Sequence, residues 1–339
     1  MPSFYEFFSG GGMARAGLGS EWECLFANDI DAKKGASHAA NWGAEHLRIE
    51  DVGKLSAADL PGRADAAWAS FPCQDLSLAG DYVGLRGERS GTFWPFWRLM
   101  KALAEEKCAP AVVVLENVCG ALTSHGGKDF AAIGAALAGS GYRFGALVMD
   151  AVRFLPQSRP RLFIVGVHKN RTVPAGLTAT QAGPLWHPAN LVGAYEKLSQ
   201  RSKEAWVWWS LPEPPPRKSK FADVIEDDPQ GVSWHTVAET RRLLGMMSPL
   251  NREKVEQAKG AKRRMVGGIY KRTQRAEIRF DDVAGCLRTP VGGSSRQSIM
   301  IVEGNKVRSR LLSSSSRASS AVSTGVLPFF TTYLGPWTA

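Results

Sequence analysis

Ser3-Phe4-Tyr5-Glu6-Phe7-Phe8, then Ser9-Gly10-Gly11-Gly12, then Met13-Ala14-Arg15-Ala16-Gly17-Leu18 is the stretch that decides the fold. The first segment is rich in aromatics and reads as a buried strand. The glycines read as a turn, since glycine takes positive φ at no steric cost and lets the backbone approach a ligand. The third segment reads as a short helix ended by glycine. Together they make the first βα unit of an α/β fold with a doubly wound, mostly parallel sheet, whose ligands lie beyond the carboxyl ends of the strands. The turn is not a strict G-x-G-x-x-G and carries no P-loop Lys-Ser/Thr. Alone it suits a nucleoside-type cofactor and plain turn geometry equally.

The following units repeat the rhythm. Glu23 to Asn28 reads as a second strand and delivers Asp29, Ile30 and Asp31 to the same edge. An acid there, about 20 residues past the glycines, suits ribose hydroxyls; Asp31 equally suits a helix cap. Ile49-Glu50-Asp51-Val52 brings a third acid, for an adenine amino group or again for a cap. Ala64 to Ser70 reads as a fourth strand, stopped by Phe71-Pro72, because proline has no N–H for a ladder. Cys73 and Gln74 follow at a strand end. Cys73 reads as a small buried hydrophobe or as a nucleophile.

Residues 75–91 are polar and hold Gly80, Gly84, Gly87 and Gly91, a loop able to close over a site. Thr92 to Glu106 reads as a helix. Ala111-Val112-Val113-Val114-Leu115 has the continuous apolar pattern of a buried parallel strand and delivers Glu116-Asn117-Val118. A carboxylate there needs partners, and Gln157-Ser158-Arg159-Pro160-Arg161, before the strand Leu162 to Val167, supplies two arginines to orient it. From His168 the rhythm stops. Trp206-Val207-Trp208-Trp209 and Pro212-Glu213-Pro214-Pro215-Pro216 follow, with Trp208 and Trp209 expected in the core of a small, irregular domain.

Charge is concentrated. Residues 252–310 hold 15 Lys or Arg against 6 Asp or Glu, a net +9 of the chain's +10. That is the footprint of a polyanion partner or a solvated face. Arg263, Arg264, Lys271, Arg272 and Arg275 are interleaved with Met265, Ile269, Tyr270 and Phe280, which suits a nucleic-acid surface. Arg288-Thr289-Pro290-Val291-Gly292-Gly293-Ser294-Ser295-Arg296-Gln297 is a backbone-rich polar turn, apt for phosphate or for a domain junction.

The 339 residues suffice for a large domain plus a smaller one. At 22% charged and 44% hydrophobic the composition is globular rather than disordered. No run of about 18 apolar residues and no signal-peptide pattern is read. Five scattered cysteines without a C-x-x-C pair indicate neither a zinc site nor a disulfide framework. A reducing compartment, the cytoplasm, is expected.

Phe-Phe-Ser-Gly-Gly-Gly, Phe-Pro-Cys-Gln, Glu-Asn-Val, Gln-x-Arg-x-Arg and Arg-Thr-Pro-x-Gly-Gly-Ser-Ser-Arg-Gln occur in that order. On these motifs the chain resembles the DNA (cytosine-5)-methyltransferases of bacterial and phage restriction-modification systems, over residues 1 to about 312. The resemblance implies an S-adenosylmethionine-dependent methyltransferase fold with a second, smaller target-recognition domain. It implies that Cys73 adds to carbon 6 of a flipped-out cytosine in duplex DNA, so that carbon 5 accepts the methyl group. Glu116 would bond N3 and the exocyclic amine, Arg161 the base carbonyl oxygen, and Arg159 would orient Glu116; Pro72 and Gln74 would shape the nucleophile turn. The base that takes the carbon-5 proton is not identified.

The implied cofactor is S-adenosylmethionine. Phe8, Gly10, Gly11 and Gly12 would hold its methionine part, Asp29 the ribose, and Asp51 with Val52 the adenine, with Ile30 a further cofactor contact; no metal is required. Ser294 and Arg296 join Arg263, Arg264, Lys271, Arg272 and Arg275 as implied DNA contacts. The implied domains are 1–167 (catalytic and cofactor-binding), 168–285 (target recognition), 286–312 (a return segment to the catalytic domain) and 313–339 (an atypical tail). A monomer is expected, acting beside a cognate restriction endonuclease, with no membrane partner. An RNA-methylating relative of the same fold is the alternative substrate class.

The tail departs from the family, whose last motif is a helix followed by Gly-Asn-Ala-Val. Residues 313–339 hold neither; they begin Ser313-Ser314-Ser315-Ser316-Arg317 and end in an apolar stretch. A frameshifted or truncated end is the reading, with weak cofactor binding and poor solubility expected, and a catalytically impaired DNA-binding remnant as the alternative function.

Overall fold

The computed structural model describes residues 1–72, 92–173, 175–271, 274–286 and 297–313. Among them the chain divides into two compact units. One comprises Met1–Met149 and Pro160–Glu213, the other Asp150–Arg159 and the chain from Pro214 on.

The first unit is built on seven strands: β1 (Ser3–Phe7), β2 (Glu23–Asp29), β3 (Leu47–Ile49), β4 (Ala66–Ala69), β5 (Val112–Asn117), β6 (Tyr142–Asp150) and β7 (Pro160–His168). Their order is β3-β2-β1-β4-β5-β7-β6. The pairs β1–β2, β2–β3, β1–β4 and β4–β5 are parallel, and β5–β7 is antiparallel. The doubly wound, mostly parallel sheet is therefore present. The chain winds outward from β1 to β3, then returns to place β4 on the other side of β1. The strand-end crevice therefore opens where β1 and β4 finish.

The helices are α1 (Met13–Leu18), α2 (Ala32–Trp42), α3 (Phe93–Glu105) and α4 (Lys128–Gly139). All five residues of β1 are buried, as a central strand of a covered parallel sheet requires. From α3, Phe96 packs its ring 5.0 Å from Phe7. Full burial of such a side chain stabilises by about 1.5–3 kcal/mol.

The tryptophan-rich segment does not form the core of a separate small domain. It belongs to the first unit, after α5 (Ala189–Glu196), α6 (Gln200–Glu204) and β8 (Thr178–Ala179), with β9 at Trp208–Trp209. The Phe144 N–H donates to the Ala205 carbonyl and the Val207 N–H to the Phe144 carbonyl, at 2.8 and 2.7 Å. These bonds cover the β6 edge, which would otherwise present unpaired backbone groups. Gly145 permits the approach, since a Cβ there would lie 1.9 Å from the Val207 carbonyl oxygen. Trp209 is fully buried and donates its indole N–H to the Val165 carbonyl at 3.2 Å. Sheet coverage thus recruits residues that composition alone assigned elsewhere.

The second unit is smaller and is built on its own antiparallel sheet. Helices α7 (Val237–Gly245) and α8 (Pro249–Gly260) accompany strands β10 (Met265–Lys271), β11 (Ala276–Arg279), β12 (Ser298–Glu303) and β13 (Lys306–Leu311), ordered β11-β10-β12-β13 and antiparallel throughout. Along β12, Met300 and Val302 join Leu243, Met247 and Val255 in one core, while Ile299 and Ile301 join Phe221, Ile225 and Leu312 in another. This period of two buries both faces of the sheet. Residues 298–311, expected within a return segment to the first domain, instead form two strands of this sheet. The apolar alternation Ile299-Met300-Ile301-Val302 is satisfied there on both faces.

Candidate active site

The glycine turn rises from the end of β1. Phe8, Gly10 and Gly12 all have positive φ, at 56°, 56° and 80°. Gly12 is irreplaceable for a second reason: a Cβ there would lie 2.3 Å from the Trp42 indole nitrogen. That indole N–H donates to the Gly11 carbonyl at 3.1 Å and pins the turn to α2. Asp29, at the end of β2, is 4% exposed; its Oδ2 accepts the Gly10 N–H and its Oδ1 the Asp31 N–H, both at 2.9 Å. Each carboxylate oxygen retains a further acceptor site.

Ile30, beside it, is 68% exposed and offers an apolar platform. Asp31 is the helix cap that the sequence allowed. It accepts the Lys33 and Lys34 N–H groups, and these bonds, that of Lys34 foremost, hold its carboxyl below the usual range.

Asp51 caps the short turn Val52–Lys54 and accepts the Gly53 N–H at 2.8 Å. Val52 is a core residue at 3% exposure, so its side chain packs inward with Leu55 and Phe26. Of the residues expected around the cofactor, Ile30 is therefore the exposed apolar one beside Asp29. Buried Asn28 was not singled out from the sequence. Its amide donates to the Arg48 and Glu50 carbonyls at 3.1 and 2.9 Å and ties the end of β2 to the chain entering Asp51. Asparagine at a strand end was the only available signal.

The buried groups near the turn that lack partners among the described residues include Glu6 Oε2, Ser9 Oγ and both ring nitrogens of His38. Glu6 accepts the Ala14 N–H at 3.0 Å, at the start of α1. Burial pushes its pKa up to about 8, against the Ala14 and Arg15 N–H groups that lower it. The Glu6 carboxyl is thus largely protonated at neutral pH.

The second half of the site is the corner where β4 and β5 end. Ser70 donates its N–H to the Phe7 carbonyl at 3.3 Å. Phe71 is buried, its ring 5.6 Å from Phe93 of α3. Pro72 is half-buried. Glu116 and Asn117 are the last two residues of β5. Buried Asn117 donates from Nδ2 to the Phe71 carbonyl at 3.3 Å and accepts the Val118 N–H at 2.8 Å, so it locks the two strand ends together.

Glu116 pairs with Arg161, Nε to Oε1 at 3.1 Å, with the side chains 24% and 17% exposed. The carboxylate is oriented yet reachable. Among the described residues the arginine that pairs with Glu116 is Arg161, which was expected on the substrate carbonyl. Arg159 falls in the second unit, where its N–H donates to Asp150 Oδ1 at 2.6 Å and its Nη1 lies 3.6 Å from Cys286 Sγ. The intervening proline explains the split: Pro160 begins β7, so Arg161 lies on the strand and Arg159 in the preceding turn.

Cys73 and Gln74 lie outside the described residues, as do 75–91, Arg272, Ser294, Arg296 and the tail from 314. Of the other basic candidates, Arg263, Lys271 and Arg275 are exposed. Arg264 is engaged within its own unit, 2.7 Å from Asp227 and 3.7 Å from Glu303. No group of three or more metal-ligating side chains occurs among the described residues. No helix among them is long and apolar enough to cross a membrane.

The chain is similar to curated bacterial proteins over somewhat less than half its length. It is 34% identical over 168 residues to the Type II methyltransferase M.BsuFI of Bacillus subtilis, covering 49% of this chain and 39% of that protein. It is 31% identical over 147 residues to the Type II methyltransferase M.Bsp6I of a Bacillus species, covering 43% and 45%. The chain thus matches less than half the length of either relative. The solved Entamoeba histolytica methyltransferase EhMeth shares the fold, with a TM-score of 0.51, 16% identity, and coverage of 73% of this chain and 66% of that one. Residues 3–283 match the model of the C-5 cytosine-specific DNA methylases. With that match spanning most of its length, the chain belongs to the C-5 cytosine-specific DNA methylase family.

Proposed function

We propose that the chain transfers a methyl group to carbon 5 of a flipped-out cytosine in a specific duplex DNA sequence, as the protective methylase of a restriction-modification system. The observation that carries this reading is the strand-end corner, where Asn117 joins the Phe71-Pro72 segment, next to Cys73 in the chain, to a partly exposed Glu116 held by Arg161.

Cys73 adds its thiolate to carbon 6, and the electron pair moves to carbon 5. Glu116 holds N3 and the exocyclic amine, so that the ring accepts that electron density. Arg161 fixes the Glu116 carboxylate with its Nε, donates from Nη1 to the Pro160 carbonyl at 2.8 Å, and leaves Nη2 for the base carbonyl oxygen. Arg159 supports the turn before β7. After methylation a base takes the carbon-5 proton, the electron pair of that C–H bond re-forms the 5,6 double bond, the sulfur–carbon bond breaks, and the thiolate returns.

S-adenosylmethionine, when bound, supplies the electrophilic methyl group. The residues present fit it. The positive-φ turn at Phe8, Gly10, Gly11 and Gly12 suits the methionine part. The unused acceptor sites of Asp29 suit ribose hydroxyls, and exposed Ile30 with the Asp51 edge suits adenine. Buried Ser9 Oγ, without a partner among the described residues, is available to a polar ligand group. Arg263, Lys271 and Arg275 contact DNA phosphates, the second unit acts in target recognition, and the protein works as a monomer.

Transfer of a labelled methyl group from S-adenosylmethionine to unmethylated duplex DNA tests this, with Cys73→Ala and transfer RNA as parallel arms. Label at carbon 5 of cytosine in the duplex, lost in Cys73→Ala, is the expected result. Label in the RNA alone, or retained in Cys73→Ala, overturns the reading.

A further inference from the structure

A second pocket lies at the opposite edge of the main sheet, where β1, β4 and β5 begin and β7 ends. Its cavity is about 620 Å³, and Arg63, Asp65, Lys107, His168, Asn170 and Arg171 carry its polar lining. That volume is in the range of small-ligand sites. The floor is apolar, with buried Ala64 and Ala111. From Glu116 it is separated by the length of β5, on the order of 15 Å at about 3.3 Å per residue.

The polar groups are unequally committed. Asp65 is the only acid in the lining, and its Oδ2 already accepts the Ser3 N–H and hydroxyl at 2.9 and 3.2 Å. Neither Arg63 nor Lys107 takes part in a salt bridge among the described residues. The far rim is a fixed turn. The His168 N–H donates to the Ala111 carbonyl and the Arg171 N–H to the His168 carbonyl, both at 2.9 Å. Arg143 donates to the Arg171 carbonyl at 2.5 Å. Lys107 is held at φ 60°, which fixes where its side chain leaves the backbone. Burial, then the charges of Lys169 and Arg171, push the His168 pKa down.

We infer that this pocket binds a phosphate group, with Arg63, Lys107 and Arg171 as its cationic contacts and Asn170 as a neutral donor. Three cations around a concave, partly apolar surface with one occupied carboxylate match a phosphate monoester better than a carboxylate or a neutral ligand. The phosphate is carried by a free nucleotide or by a nucleic-acid backbone, and the test separates the two. The site is independent of the proposed methyl transfer, and its readout needs neither DNA nor a methyl donor.

The experiment is a titration of the full chain with inorganic phosphate, followed by calorimetry and phosphorus NMR at low salt. Saturable binding is expected, weakened at least tenfold in the double variant Arg63→Ser/Lys107→Gly and unchanged in Glu116→Gln. Both substituted side chains are exposed, and glycine suits the positive φ at 107. Arg63→Glu is a second variant expected to abolish binding, with its melting temperature as the folding control. Competition by guanosine 5′-monophosphate assigns the site to a free nucleotide; competition by a 12-base-pair duplex alone assigns it to a nucleic-acid backbone. Absence of saturable binding, or equal affinity in the double variant, overturns the inference.

Discussion

The glycine turn and the β4–β5 corner lie on the same edge of one sheet and are built in opposite ways. The turn is local. Its positive-φ residues lie within five positions, and Asp29 and Trp42 arrive from the next βα unit. The corner is assembled from Phe71, Glu116-Asn117 and Arg161, which are separated by up to 90 residues and joined by one hydrogen bond and one ion pair. Each region also holds a glutamate in a different state. Glu6 is sealed and proton-bearing at neutral pH, with one oxygen accepting the α1 backbone. Glu116 is partly open and paired with a cation. Burial that outweighs the nearby Arg15 charge makes the Glu6 carboxyl structural, whereas exposure with an oriented partner leaves Glu116 able to engage a substrate.

The largest expected effect comes from breaking the corner. Glu116→Gln should lower methyl transfer by about 10²–10⁴-fold with little change in thermal unfolding. Full activity in the labelled-methyl assay would remove Glu116 from the mechanism. The two arginines sharpen the point. Arg161→Ala should cost about 100-fold through misplacement of Glu116, and Arg159→Ala distinctly less. Parallel kcat/KM measurements that rank them the other way would reassign the orienting role to Arg159.

Breaking the turn should show as stability before activity. Gly12→Ala places a Cβ against the Trp42 indole at φ 80° and should destabilise by about 1–3 kcal/mol. Urea unfolding measures it, and an unchanged midpoint would mean that the turn relaxes freely.

Glu6 makes the comparison pH-dependent. Its folded pKa, about 8, lies above the ordinary 4.5. Between these values the folded state binds more protons than the unfolded state. The contribution is therefore fully present below about pH 4.5 and is lost as pH rises through about 8, by at most about 1.4 kcal/mol per pH unit. Glu6→Gln should flatten that slope between pH 5 and 8, as read from urea midpoints. Equal slopes in both proteins would show that Glu6 does not carry the proton. The smallest effect is expected at Arg264, whose partly exposed pairs with Asp227 and Glu303 should be worth about 0–1 kcal/mol. Arg264→Ala should also weaken DNA binding less than Arg263→Ala or Arg275→Ala in a filter-binding titration.

Much of the first unit was legible because its signals are local. An aromatic-rich segment marks β1 and a continuous apolar run marks β5, glycines mark the turn, and Phe-Pro ends β4. The tryptophans at 206–209 misled because composition cannot show that the β6 edge needs covering. The strands at 298–311 misled because their alternation fits any two-faced sheet, and only long-range pairing with β10 chooses this one.

Sequence by itself determined which residue types stand at the strand ends: three aspartates, the Phe-Pro-Cys-Gln stretch, Glu-Asn-Val and two arginines, because strand periodicity and turn chemistry act over a few residues. Only the tertiary structure decided that Arg161 rather than Arg159 pairs with Glu116, that Val52 belongs to the core, that Arg264 is already engaged, and that Glu6 keeps its proton. Those outcomes depend on burial and on charges brought together from distant segments, which sequence spacing does not encode.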